Sequence, residues 1–296
     1  MHDTRTYAHG MYQETMAATS MAETLALRGL AAAADTSAAD EAETAEKPPS
    51  FLASGLGGGV GFGAVDGRLS GAEQSAGQGP RPFLVFNPTV WDRREVVEAT
   101  VWDNAPPGAV KPLRERTFAV RSPDGRIAAA QVVKGGAYWG HDYATVAFAA
   151  AAPALGYAVY TVIEAAAEKS GDEARQLGHG HHCRYSMYER SGEGMENEFV
   201  RVELDPATGG ILSLVDKRSG AELIRPERPA APLEFLVERP HSMTSWLIEH
   251  GGPVETPLVT GLRRGLAGPL KATIEADLRI RESEFTLTYE LRAGDP

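Results

Sequence analysis

The feature of this sequence that most constrains its fold is a strict alternation of apolar and polar residues near its end. Every second residue is apolar over 272–280 and again over 285–291. Because successive side chains of a β-strand point to opposite faces, this pattern predicts two strands that each bury one face and expose the other. The polar positions, among them Lys271 and Thr273, are expected on the exposed face. A tight turn at Glu282 and Ser283 would join the strands into a hairpin.

A second hairpin is predicted earlier in the chain. Residues 200–204 alternate between apolar and charged side chains, and the apolar run 211–215 follows after Pro206-Ala-Thr-Gly-Gly210. Proline, threonine and glycine in such a short interval favour a reversal of the chain. The two runs are therefore expected to pair as antiparallel neighbours.

Short apolar runs also recur through the middle of the chain, separated by proline, glycine and aspartate residues that favour turns. The runs cover residues 83–86, 96–102, 117–120, 127–133, 143–149 and 156–163. Short strands at this spacing suit a compact antiparallel module rather than a parallel sheet with crossover helices. The sequence therefore predicts a β-sandwich in this region.

The first eighty residues lack this β pattern. Alanine and glutamate are frequent over 7–34, where apolar residues fall at near-helical spacing and predict a helix. Residues 36–80 have few large apolar side chains and are rich in glycine, alanine, serine and acidic residues, which predicts a flexible linker. The glycine run 55–63 does not read as a phosphate-binding loop, because no strand precedes it and no Gly-Lys-Ser/Thr follows.

The chain has 296 residues, more than one typical domain, so several modules are expected. We predict a helical segment at 1–35, a linker at 36–80, a small β-sandwich at 81–165, a polar connector at 166–194 and the first part of a larger β-sandwich at 195–296. The predicted fold class is mainly β, with antiparallel sandwich domains preceded by a short helical segment.

Charge and cysteine content exclude several kinds of partner. The formal charge of −11 repels a phosphate backbone, so neither nucleic acid nor an anionic membrane is an expected partner. No window approaches the length of a membrane span, and the first residues lack the apolar core of a signal peptide. The one cysteine, Cys183, cannot form an internal disulfide. We therefore expect a cytoplasmic protein.

One cluster carries side chains that bind metals. His179-Gly-His181-His182-Cys183 places four potential ligands within five residues. Neighbouring residues rarely converge on one tetrahedral ion, and no second half-site accompanies them. A metal site and a solvated loop both stay open as interpretations of this cluster. Cys183 lacks the surroundings of a catalytic nucleophile.

Carboxylates could serve glycoside hydrolysis, which generally needs two of them. Glu203, Asp205, Glu275 and Asp277 fall on the polar faces of predicted strands. We expect all four to be solvated surface groups.

The four tryptophans could stack on sugar rings, but packing inside a β-sandwich is their commoner role. They are Trp91, Trp102, Trp139 and Trp246, and each is expected in a core.

Three blocks of the sequence resemble one enzyme family. The segment 81–98, which begins Arg-Pro-Phe-Leu-Val-Phe-Asn-Pro, resembles the opening of the β domain behind the catalytic barrel of family 38 glycoside hydrolases, the α-mannosidases. The segment 146–160 contains Pro-Ala-Leu-Gly-Tyr and is similar to the family's next signature. The segment 195–220, Met-Glu-Asn-Glu-Phe-Val-Arg-Val onward, is similar to the first hairpin of its large C-terminal sandwich.

The resemblance implies a mannosidase C-terminal supersandwich of the galactose-mutarotase-like kind. It also implies zinc and an aspartate nucleophile in an N-terminal β/α barrel, nearly all of which this sequence lacks. His2-Asp3-Thr4 is similar to the end of a late barrel motif, which makes His2 a zinc ligand and Asp3 a contact of a substrate hydroxyl. The Gly-Thr pair that follows this motif in the family is absent here. No catalytic residue is assigned within the chain.

The expected function is that of the C-terminal portion of an α-mannosidase, zinc-dependent and retaining in its full-length form, with this portion inactive by itself. The expected ligand of the intact enzyme is an α-mannoside, zinc is not expected to bind this chain tightly, and a homo-oligomer is compatible with the sequence. The alternative is a non-catalytic carbohydrate-binding or scaffolding module, because a β-sandwich does not fix function.

Overall fold

The computed structural model describes eleven segments of the chain. They are residues 2–35, 81–104, 111–138, 141–164, 184–186, 193–225, 229–230, 233–239, 241–242, 246–247 and 250–295. The predicted linker 36–80 and the cluster His179–Cys183 lie outside them. The chain forms two compact units, Met1–Glu46 and Lys47–Pro296.

The first unit contains helix α1 (His2–Ala33), which agrees with the helix predicted from composition. Threonine hydroxyls at Thr15, Thr19 and Thr24 each donate a 2.8 Å hydrogen bond to the carbonyl four residues earlier, so they follow the helix rather than interrupt it. Apolar side chains along the helix, such as Tyr7 and Leu25, are exposed. Among the described helices, none has the length and apolar content needed to cross a membrane.

The second unit begins with two antiparallel sheets. One has the strand order β1 (Arg81–Asn87), β7 (Gly156–Glu164), β3 (Phe118–Arg121) and β4 (Ile127–Ala129). The other has the order β2 (Arg93–Asn104), β6 (His141–Ala152) and β5 (Gln131–Tyr138), and a short 3₁₀ helix at Leu113–Glu115 lies against β5 and β6. These strands overlap the apolar runs of the sequence, except that the run 127–133 is divided between β4 and β5, which belong to different sheets.

Apolar side chains from both sheets form one core. Its buried members include Val101, Leu113, Phe118, Val120, Val146, Phe148, Tyr160 and Val162. The hydroxyl of Tyr160 remains satisfied inside this core, because it accepts from the Ala151 amide at 2.7 Å and lies 3.1 Å from the Ala151 carbonyl. Two antiparallel sheets around a shared apolar core form a β-sandwich, which confirms the predicted fold class.

Three further sheets make up the rest of the unit. The first has the order β12 (Ala221–Glu222), β11 (Ile211–Asp216), β10 (Val200–Leu204), β9 (Gly194–Glu196) and β8 (Arg184–Ser186). The second is β15 (Leu258–Arg264), β16 (Lys271–Ile280) and β17 (Ser283–Arg292), and the third pairs β13 (Phe235–Glu238) with β14 (His250–Glu255).

Both predicted hairpins are confirmed. β10 pairs with β11 across the turn that contains Gly209, whose φ of 69° is easily reached only by glycine. β16 pairs with β17 over ten residues, and the turn consists of Arg281 and Glu282, one residue earlier than predicted.

A second core joins the two β regions. Its buried members are Val96, Ala147, Met195, Val202, Leu204, Ala272, Ile274 and Ala293. Val96 and Ala147 belong to β2 and β6, but they point away from the first core because their neighbours Val101, Val146 and Phe148 occupy the opposite face. The sheet β2–β6–β5 therefore has buried residues on both faces, and the two β regions share it.

The prediction that the polar face of β16 is exposed is partly wrong. Lys271 and Thr273 were expected on an exposed face, yet both are buried. Lys271 lies against β2 and β5, and the Thr273 hydroxyl accepts a 2.8 Å hydrogen bond from the Leu266 amide. The alternation of β16 predicts the core-facing side correctly, but it cannot show that β2 and β5 cover Lys271 or that the preceding loop at Leu266 covers Thr273.

Two other expectations are corrected. Glu203 was expected to be solvated, but it is buried on β10, whereas Asp205, Glu275 and Asp277 retain partial exposure. Trp91 and Trp246 were expected in a core but are 62% and 72% exposed. Trp139 and the side chain of Trp102 lie outside the described residues.

Candidate functional site

Charged side chains of three strands meet where the two β regions join. We call Glu98, Lys271, Glu290 and Arg292 the junction cluster. The ammonium of Lys271 on β16 lies 2.6 Å from Glu98 Oε1 on β2 and 2.7 Å from Glu290 Oε2 on β17. Arg292 Nε donates to the other oxygen of Glu290 at 2.7 Å. One lysine thus connects a carboxylate of the small sandwich with a carboxylate of the C-terminal region.

A buried glutamine adds neutral hydrogen bonds beside this cluster. Gln131 on β5 accepts from the amides of Leu270 at 3.1 Å and Lys271 at 2.9 Å. Its Nε2 donates to the Lys271 carbonyl at 2.8 Å. Gly268 allows this approach, because a Cβ there would lie 2.2 Å from the side-chain amide carbon of Gln131. The side chain of Gln131 therefore substitutes for a neighbouring strand at the start of β16.

Opposite charges in the junction cluster favour the ionised forms of Lys271, Glu290 and Arg292. Burial disfavours the charged form of Lys271, but hydrogen bonds to Glu290 and Glu98 outweigh it and raise the pKa of its ammonium. Burial likewise acts to raise the pKa of Glu290, but hydrogen bonds from Lys271 and Arg292 lower it. The hydrogen bond to Glu290 raises the pKa of Arg292. Each charge is thus stabilised by an opposite one within the cluster.

The segment after β17 is fixed next to the cluster by a buried asparagine. Asn197 Nδ2 donates to the carbonyls of Arg292 at 2.8 Å and Asp295 at 2.7 Å. Its Oδ1 accepts from the amides of Phe199 and Val200 at 2.9 and 2.8 Å. Both donor hydrogens and the acceptor oxygen of this side chain are therefore used, as burial requires.

Asp295 differs from the carboxylates of the cluster. Burial raises its pKa, and nearby Glu95, Glu198 and Glu290 act in the same direction, while Arg292 opposes them. A raised pKa is one requirement of a general acid, but the two carboxylates of the junction cluster, Glu98 and Glu290, are both ion-paired with Lys271. The geometry therefore suits a fixed ionic contact between two β regions.

The residues predicted from the resemblance, His2 and Asp3, belong to helix α1 and not to the junction cluster. His2 and Asp3 are in the first turn of α1, and their side chains lie outside the described part of the structure. The roles assigned to them stay predictions. Within the residues that the structure describes, no group of three or more histidine, cysteine, aspartate or glutamate side chains could hold a metal ion. The described residues thus do not form a zinc site.

The residues that do meet at the junction were missed by the analysis of the sequence. Asn197 had a usable signal, since asparagine before a strand often binds backbone amides two and three residues on. Gln131 and Lys271 had none, because they are 140 residues apart and each looks like an ordinary polar position of a strand.

Among the described residues, two apolar cores and five antiparallel sheets define an antiparallel β-sandwich protein that also contains a helical segment. Residues 195–296 match the family model described as the glycosyl hydrolases family 38 C-terminal domain. This part of the chain is therefore a family 38 C-terminal domain, as the resemblance of the segment 195–220 implied. No curated protein matches the chain.

Replacing Lys271 by methionine tests the junction. Lys271→Met leaves Glu98 and Glu290 without their shared cation, so we expect the free energy of unfolding to fall by about 2 kcal/mol. Arg126→Met is the control, because Arg126 pairs with Asp124 at the exposed surface and its loss should cost clearly less than the loss of Lys271. Urea unfolding of both variants measures the difference, and equal losses would show that the junction contributes no more than a surface pair.

Asp295→Asn tests the electrostatics of the same region. A carboxyl whose pKa is raised by folding destabilises the folded state at pH values above that pKa, and the cost disappears below its ordinary pKa. We therefore expect Asp295→Asn to unfold at higher urea concentration than the wild type at pH 7 and at the same concentration near pH 3.

Asp124→Asn is the control of opposite sign, since the hydrogen bond from Arg126 lowers the pKa of Asp124. Its stability should not exceed that of the wild type at pH 7. A wild type more stable than Asp295→Asn at pH 7 would contradict the conclusion that folding raises the pKa of Asp295.

Proposed function

We propose that this chain is the C-terminal portion of a zinc-dependent, retaining α-mannosidase. The observation that carries the proposal is the family 38 C-terminal domain at 195–296. A second antiparallel sandwich precedes that domain and shares a sheet with it. The segments that resemble the family, 81–98, 146–160 and 195–220, follow the same order along the chain. The substrate class, the retaining mechanism and the zinc are inferences from the family.

The proposed role of the described residues is to support a catalytic region rather than to perform hydrolysis. A retaining glycosidase needs a nucleophile and an acid about 5–5.5 Å apart. The carboxylates of Glu98 and Glu290 are each within hydrogen-bond distance of Lys271. Hydrogen bonds from Lys271 and Arg292 outweigh the effect of burial and lower the pKa of Glu290, which opposes a role as general acid. The nucleophile and acid are therefore proposed to come from the barrel that the resemblance implies.

The proposal assigns the metal to the same barrel. In it His2 is a zinc ligand and Asp3 contacts a substrate hydroxyl, both at the start of α1. Zinc would hold and polarise mannose hydroxyls when bound. Within the described residues no group of side chains forms a metal site.

The test compares this chain with a longer protein encoded by the same gene and its upstream DNA. We expect the upstream DNA to encode a barrel with a His-x-Asp motif and an acidic nucleophile. The longer protein should hydrolyse an aryl α-mannoside with retention, and a chelator should abolish its activity. The 296-residue chain alone should not turn over the same substrate.

Two results would contradict the proposal. Hydrolysis by the chain alone that disappears in Asp3→Ala would show that a complete site is present in it. A longer protein that is inactive on aryl α-mannosides, yet binds mannose oligosaccharides, would favour the carbohydrate-binding alternative. In that case the exposed Trp246 is the first side chain to replace, because aromatic rings commonly stack on sugars.

The remaining expectations about the protein are proposals of the same kind. We propose a cytoplasmic location, on the basis of the lone Cys183 and the acidic composition. We also propose that the protein acts without nucleic acid or membrane partners.

A further inference from the structure

We draw no further inference here: the strongest candidate, the exposed apolar patch of Val90, Trp91 and Leu155 on two loops at one end of the small sandwich, carries nothing because nothing in the part of the chain that the structure describes shows what covers it.

Discussion

The rest of the structure depends on the burial of one sheet on both faces. β2 and β6 place Val101, Val146 and Phe148 in the core of the small sandwich. The same two strands place Val96 and Ala147 in the core that contains β10 and β16. Because neither β region can be removed without exposing apolar residues of this sheet, the C-terminal domain and the small sandwich constrain each other.

Polar contacts at the edge of that sheet fix how the two regions meet. Gln131 binds the backbone of Leu270 and Lys271, and Lys271 binds Glu98. Lys271 is buried, whereas the side chains of Glu98 and Glu290 are 34% and 32% exposed. Such partly exposed ion pairs add little net stability, but they penalise any arrangement that separates the charges. The apolar core therefore supplies most of the affinity between the regions, and the junction cluster fixes their register.

The sequence predicted local structure better than contacts between distant segments. The hairpin of β16 and β17 and the strands of the small sandwich follow from alternation and turn residues, which act over a few positions. The burial of Lys271 could not be predicted, because it depends on β2 and β5, which are far away in the sequence. Trp91 was expected in a core on the general behaviour of tryptophan, but the hydrogen bonds of Asn87 hold its loop at the surface. The roles predicted for His2 and Asp3 depend on the resemblance alone.

Native-state hydrogen exchange of the whole chain at low urea concentrations is the most direct test of the shared sheet. If the two β regions form one cooperative unit, the amides of Val146 on β6 and Ile274 on β16 should exchange with the same opening free energy and the same dependence on urea. An Ile274 amide that opens at a clearly lower free energy and with a weaker urea dependence, while Val146 stays protected, would show that the C-terminal region unfolds independently and would contradict this account.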